Sequence, residues 1–225
     1  MTRIRLITIV TVALMVSVSA WTCRAAEKKE EADAKGFVPL FNGKDLTGWQ
    51  TTGNWVVEKD GTVTLKPRPG EKGWQRYDAY LTTERKYRDF ILDLEFKFGP
   101  GGNSGVFLRV ADPKSQVNTG FEVQILDTHG KKNVGAHDCG GVIGTAAPSK
   151  NMVKPAGEWN RYTITCKGSK VKVVLNGEQI IDLDLSKSGL KDRPPTGTIG
   201  FQDEAKPIWY RNVRIKELAD EKQSK

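Results

Sequence analysis

FILDLEFKF, residues 90–98, alternates from Leu92 onward, with Leu92, Leu94, Phe96 and Phe98 on one phase and Asp93, Glu95 and Lys97 on the other. A period of two sends successive side chains to opposite faces of a β-strand, so one face is predicted buried and the other wet. Outward from this stretch, Val106–Val110, Phe121–Leu126, Arg161–Cys166, Val171–Leu175, Gln179–Leu185, Thr198–Phe201 and Trp209–Ile215 are further short strand-like runs. Gly, Asn, Pro and Asp separate them. Asn176-Gly177 falls between two runs, and both residues tolerate positive φ, which predicts a type I′ hairpin turn. No segment holds a capped period of 3.6 residues. The expectation is an all-β fold, a jelly-roll β-sandwich of two antiparallel sheets.

One run carries chemistry. In Gly120–Asp127 (GFEVQILD), Glu122 and Gln124 lie two apart among mostly apolar neighbours and so share a sheet face. Asp127 follows at the strand end, completing E-x-Q-x-x-D. Two carboxyls and an amide converging on one face suit acid–base work on a polyhydroxylated ligand, which points to a glycan or small glycoside. Asn103 and Ser104 lead into the strand 106–110, and Arg109 is in phase with Phe107, so Arg109 is expected either to pair with Glu122, Asp127 or a substrate oxygen, or to form an ion pair that shapes the sheet. His129 is a candidate proton carrier, since an unperturbed imidazole titrates near pH ~6.5. Trp74, in a loop with Lys72, Gly73, Gln75 and Arg76, is the candidate for stacking on a sugar ring, whereas Trp49 and Trp159 are expected in the core. No cofactor is identified. A divalent cation held by Asp127, Asp138, His129 and His137 stays open at this stage.

The N-terminus reads as an export signal. Arg3 and Arg5 precede the uncharged apolar run Leu6–Val18, and small residues follow at Ser19, Ala20, Ala25 and Ala26. The apolar run is short for a membrane span, so the mature chain is expected to have none. Residues 1–25 are read as a signal peptide, 26–35 as a charged linker, 36–218 as the folded domain and 219–225 as a polar tail. A periplasmic or extracellular location follows. Cys23 is preceded by Trp21-Thr22, a poor lipidation box, which makes lipid anchoring the weaker reading. The formal charge of +8 falls to +5 when Arg3, Arg5 and Arg24 leave with a cut after Ala25. The remaining Lys and Arg are interspersed with Asp and Glu, which argues against nucleic-acid binding. An oxidising compartment permits a Cys139–Cys166 disulfide, and sequence does not decide it.

Six stretches in order are similar to one family. Phe37–Trp49 (FVPLFNGKDLTGW), Gly101–Arg109 (GGNSGVFLR), Gly120–Asp127, Gly157–Asn160 (GEWN), Leu175–Gly177 (LNG) and Tyr210–Lys216 (YRNVRIK) resemble the 3-keto-disaccharide hydrolase domain family. The resemblance implies a concanavalin A-like sandwich with a glycan site on its concave face. It also implies hydrolysis of glycosides oxidised at C3, through C2 proton abstraction, elimination and hydration. In that scheme Glu122 or Asp127 is the base, Arg109 or Asn103 the oxyanion donor, and the remaining carboxyl or His129 the acid. One departure stands out: after Cys139 the family commonly carries a Tyr where this chain has Ile143. Gln124 also replaces the central acid of the E-x-D-x-x-E pattern of laminarinase-like glycosidases, which weighs against a two-carboxylate mechanism on unoxidised sugars. A lectin-like module that binds glycan without catalysis is the alternative.

Overall fold

The computed structural model describes residues 36–219. The expected signal peptide, Cys23 and linker lie outside these residues, as does the tail beyond Ala219. In chain order the strands are β1 (Val38–Pro39), β2 (Trp49–Gln50), β3 (Trp55–Val57), β4 (Val63–Leu65), β5 (Leu81–Thr83), β6 (Phe90–Phe98), β7 (Asn103–Val110), β8 (Phe121–Leu126), β9 (Asn160–Lys167), β10 (Lys170–Leu175), β11 (Glu178–Asp184), β12 (Thr198–Phe201) and β13 (Ile208–Glu217). One eight-stranded sheet has the order β11-β10-β9-β6-β13-β4-β3, with β1 also on β13, and a five-stranded sheet has the order β2-β5-β12-β7-β8. The strand pairs are antiparallel. A single turn of helix, α1 (Gln116–Thr119), joins β7 to β8. Four residues are too few for a helical period to show in the sequence.

The alternation in FILDLEFKF is realised as expected. Phe90, Leu92, Leu94, Phe96 and Phe98 are buried between the sheets. They pack with Val106, Leu108, Val123, Ile125, Ile164, Ile199, Phe201, Tyr210 and Ile215 from facing and neighbouring strands. Asp93, on the opposite face, is buried as well because Arg161 and Arg214 bond its carboxylate at 3.0–3.1 Å and Thr163 at 2.8 Å. Asn176 and Gly177 both have positive φ, as a type I′ turn requires. Cys139 and Cys166 are free, buried thiols. Burial pushes their pKa values up to about 11 and about 12, so both are inert at neutral pH.

Candidate active site

The outer face of the five-stranded sheet collects polar groups that the core cannot take. On β8, Phe121, Val123 and Ile125 point inward, which turns Glu122 and Gln124 outward. On β7 the inward residues are Val106 and Leu108, so Asn103, Gly105 and Phe107 share the face of Glu122. The register sets Gly105 opposite Gln124 and Phe107 opposite Glu122. Gln202, just past β12, keeps this register by donating its backbone N–H to Gly105 O at 2.9 Å.

Glu122 is 8% exposed, and its Oε1 has no hydrogen-bond partner. Burial, then the neighbouring charge of Glu204, pushes its pKa from an ordinary 4.5 up to about 8. Glu204 is itself half-buried and shifted upward, chiefly by desolvation. Tyr80 completes the surround: its hydroxyl donates to Trp74 O at 2.7 Å, lies against the Gln202 amide, and feels the charges of Glu122 and Glu204. Gln124 donates Nε2–H to Asn103 Oδ1 at 3.3 Å, which holds the two amides as a pair.

Other buried polar atoms without a partner gather near this face. Gln202 Oε1 and Gln116 Oε1 are two, and Gln116 lies over Gly200 of β12 while bonding Thr82 at 3.1 Å. Asp203 Oδ2 and Arg76 Nε are two more, although Asp203 Oδ1 and Arg76 Nη2 pair at 2.8 Å. An unpartnered buried polar atom costs about 1–3 kcal/mol, so such a concentration is expected where a hydroxyl-rich ligand completes the bonding.

Of the residues singled out from sequence, Glu122, Gln124 and Asn103 come together here. Trp74 joins them at the rim, 41% exposed, its ring 6.1 Å from Tyr77, which in turn packs edge-on to Tyr80.

The other four go elsewhere. Asp127 is five residues from Glu122, an odd step that reverses its side, and its Oδ2 accepts the Gly101 N–H at 2.9 Å to close the β6–β7 turn. Its charge helps to raise the pKa of the buried Cys139 thiol. Arg109 is 2% exposed and bonds Arg88 O, Gly168 O and Asp89 at 2.7–2.9 Å. A β-bulge is the cause: Leu108 and Arg109 together oppose Ile199, Arg109 takes φ 51°, and Val110 moves to the side of Phe107. Gly197 makes room, since a β-carbon there would overlap the Arg109 backbone. Ser104 faces the core, bonding Gln202 O at 2.8 Å and Tyr210 Oη at 3.0 Å. His129 is exposed in the turn after β8, with Nδ1 3.1 Å from Val153 O.

Asp138 is likewise engaged, by Lys131 at 2.7 Å and the Gly135 N–H at 2.6 Å. Among the described residues no group of three or more His, Cys, Asp or Glu side chains is arranged to hold a metal ion.

Tyr80, Gln202, Glu204 and Phe107 were not found by sequence reasoning. Phe107 on β7 and Gln202 just past β12 each have the outward parity, but parity marks a face without saying which faces carry a site. Ile143 does stand at the site's edge: its N–H bonds Glu122 O at 3.1 Å, and its neighbour Val142 bridges to Val123.

A family model for the 3-keto-alpha-glucoside-1,2-lyase-like domain matches residues 36–216. The chain belongs to this family. A 3-keto-disaccharide hydrolase of Bacteroides thetaiotaomicron is 25% identical, over 83% of this chain and 80% of the relative. A crystal structure from Parabacteroides distasonis, provisionally described as a glycosyl hydrolase, is 28% identical with a TM-score of 0.70, covering 84% of this chain and 97% of that one. The β-glucanase of Bacillus licheniformis, 13% identical with a TM-score of 0.52 over 81% of this chain and 97% of its own, shares the jelly-roll fold alone. The family's jelly roll is therefore the fold here.

Proposed function

We propose that this glycoside hydrolase-like enzyme of the family acts on glycosides oxidised at C3, with Glu122 as the proton-transfer group. The observation that carries this reading is the buried Glu122 carboxyl, one oxygen unpartnered and its pKa near 8, on a sheet face lined with amides. A carboxylate that holds its proton this tightly is a strong base, matched to the weakly acidic C–H beside a ketone. The family match and the 25% identical 3-keto-disaccharide hydrolase support the same substrate class.

The steps follow from that placement. Ionised Glu122 takes the C2 hydrogen, and the electron pair moves onto the C3 oxygen as an enolate. Asn103 and Gln124, held as an amide pair, supply N–H donors for that oxygen. The enolate re-forms the ketone and expels the C1 substituent, whose oxygen takes a proton from Glu204 or from Glu122 itself. Water then adds at C1 of the enone and a proton returns to C2, giving net hydrolysis. Tyr77 and Trp74 wall the face beside Tyr80 and receive the apolar side of the leaving group.

Export of the chain through residues 1–25 is part of the same proposal. Among the described residues no helix is long and apolar enough to cross a membrane.

Purified protein is incubated with a 3-keto-glucoside, its C2-deuterated form and the unoxidised parent. Release of aglycone from the keto sugar alone, slowed by deuterium, is expected. Loss of Glu122 in Glu122→Gln should lower the rate ~10²–10⁴-fold. Unchanged turnover in that variant, or glycan binding with no product, overturns the reading.

A further inference from the structure

The opposite side of the sandwich carries a second set of aromatic residues. Lys97 of β6 is registered with Trp209 of β13, and Trp159 immediately precedes Asn160, the β9 partner of Phe96. Trp209, Lys97 and Trp159 therefore form a row across adjacent strands, on the outer face of the eight-stranded sheet. Both indoles are half-buried; Trp159, expected in the core, is on the surface because its neighbour Asn160 takes the inward position. The Lys97 ammonium lies 5.0 Å from each ring centroid. Arg211 lies over Trp159 at 4.0 Å.

These residues, with Glu58, Lys59 and Asp60 on the β3–β4 turn, line a cavity of about 520 Å³. That is within the ~300–1,000 Å³ typical of small-ligand sites.

The charges in the groove are unequally matched. Arg211 is paired with Glu95 at 2.5 Å, and Glu58 with Lys66 at 2.7 Å. The Asp60 carboxylate accepts the Thr62 N–H at 3.0 Å, which lowers its pKa together with the charge of Arg211. Among the described residues no carboxylate lies within ion-pair distance of Lys97. An ammonium held over two ring faces has lost part of its hydration without gaining an anion.

We propose that this groove binds a saccharide carrying an anionic substituent, a carboxylate or a sulfate ester, at a site separate from Glu122. The anion pairs with Lys97, with Lys59 at the rim, and the C–H face of the pyranose lies on the indoles. Such a site would hold the enzyme on acidic polymer while its opposite face turns over small glycosides.

The test titrates the full chain with a galacturonate hexamer, a sulfated oligosaccharide of similar length and cellohexaose, following tryptophan fluorescence and calorimetry. One or both acidic oligomers should bind, more weakly as salt rises, and cellohexaose at least tenfold more weakly. Which acidic oligomer binds identifies the anion. Lys97→Met keeps the apolar stem and should cut that affinity at least tenfold with an unchanged melting temperature, and Trp209→Phe should cut it less. Glu122→Gln should bind as wild type does, which separates this site from the catalytic reading. No binding of either acidic oligomer, equal binding of the neutral one, or unchanged affinity in Lys97→Met overturns the proposal.

Discussion

Glu122 Oε1 occupies the space that a side chain at Gly105 would fill: a β-carbon on Gly105 would overlap the carboxyl. The glycine on one strand thus sets the position of the acid on the next. Gly105→Ala is expected to displace the carboxyl and to cost about 1–3 kcal/mol by overpacking. The measurement is turnover of a 3-keto-glucoside alongside a thermal melt. A variant with unchanged rate and unchanged melting temperature would show that Glu122 has room to spare.

Proton abstraction by Glu122 requires the ionised form. With its pKa near 8, about a tenth is ionised at pH 7, so kcat/KM is expected to rise through a limb near pH 8. Stability runs the other way. Below pH ~4.5 the carboxyl is protonated in folded and unfolded chains alike; between there and pH ~8 only the unfolded chain releases its proton, which favours unfolding as pH rises. Glu122→Gln should remove that loss, so its melting temperature should gain on wild type from pH 5 to pH 8. A parallel pH dependence in the two proteins would place the ionisation elsewhere.

Arg109 and Asp127 separate stability from catalysis. Removing Arg109 leaves Asp89 without its buried partner, so Arg109→Met is expected to cost about 3–5 kcal/mol. Activity per folded molecule should stay within a few-fold of wild type. Asp127→Asn should also retain activity, losing only the charged acceptor at the Gly101 N–H. Steady-state kinetics normalised to folded protein, from denaturant titration, checks both. A hundredfold loss in either would return that residue to the mechanism.

Trp74 lies at the rim, so Trp74→Ala should raise KM for an aromatic or disaccharide substrate by up to about tenfold, equivalent to ~1.4 kcal/mol. It should leave kcat and the melting temperature nearly unchanged. A fall in kcat with constant KM would instead tie the indole to the transition state.

Period-two patterning marks the strands with a wet side and a dry side, as in Phe90–Phe98, Asn160–Lys167 and Lys170–Leu175, and turn residues bound the runs buried on both faces. Phe121–Leu126 and Thr198–Phe201 were legible to the residue. Strands β1 to β4 span two or three residues each, too short for a period, and exist only through their partners on β13 and β5 or through each other. The same limit applied at the site. Local parity placed Glu122 and Gln124 on one face, and Asn103 proved to share it through the β7–β8 register. Of the two readings open for Arg109, the structural ion pair holds and the substrate side does not, because a bulge shifts parity by one and the sequence there carries no Gly or Pro to announce it.

The chain by itself determined the all-β class, the face shared by Glu122 and Gln124, and the family pattern, since each depends on residues close in sequence. Tertiary structure decided which carboxyl is buried on the amide-lined face with a raised pKa. The pKa of Glu122 depends on burial and on Glu204, eighty-two positions away. It likewise removed Arg109 to a structural ion pair and set Trp159 beside Lys97, because only pairing between distant strands fixes what each outward side chain meets.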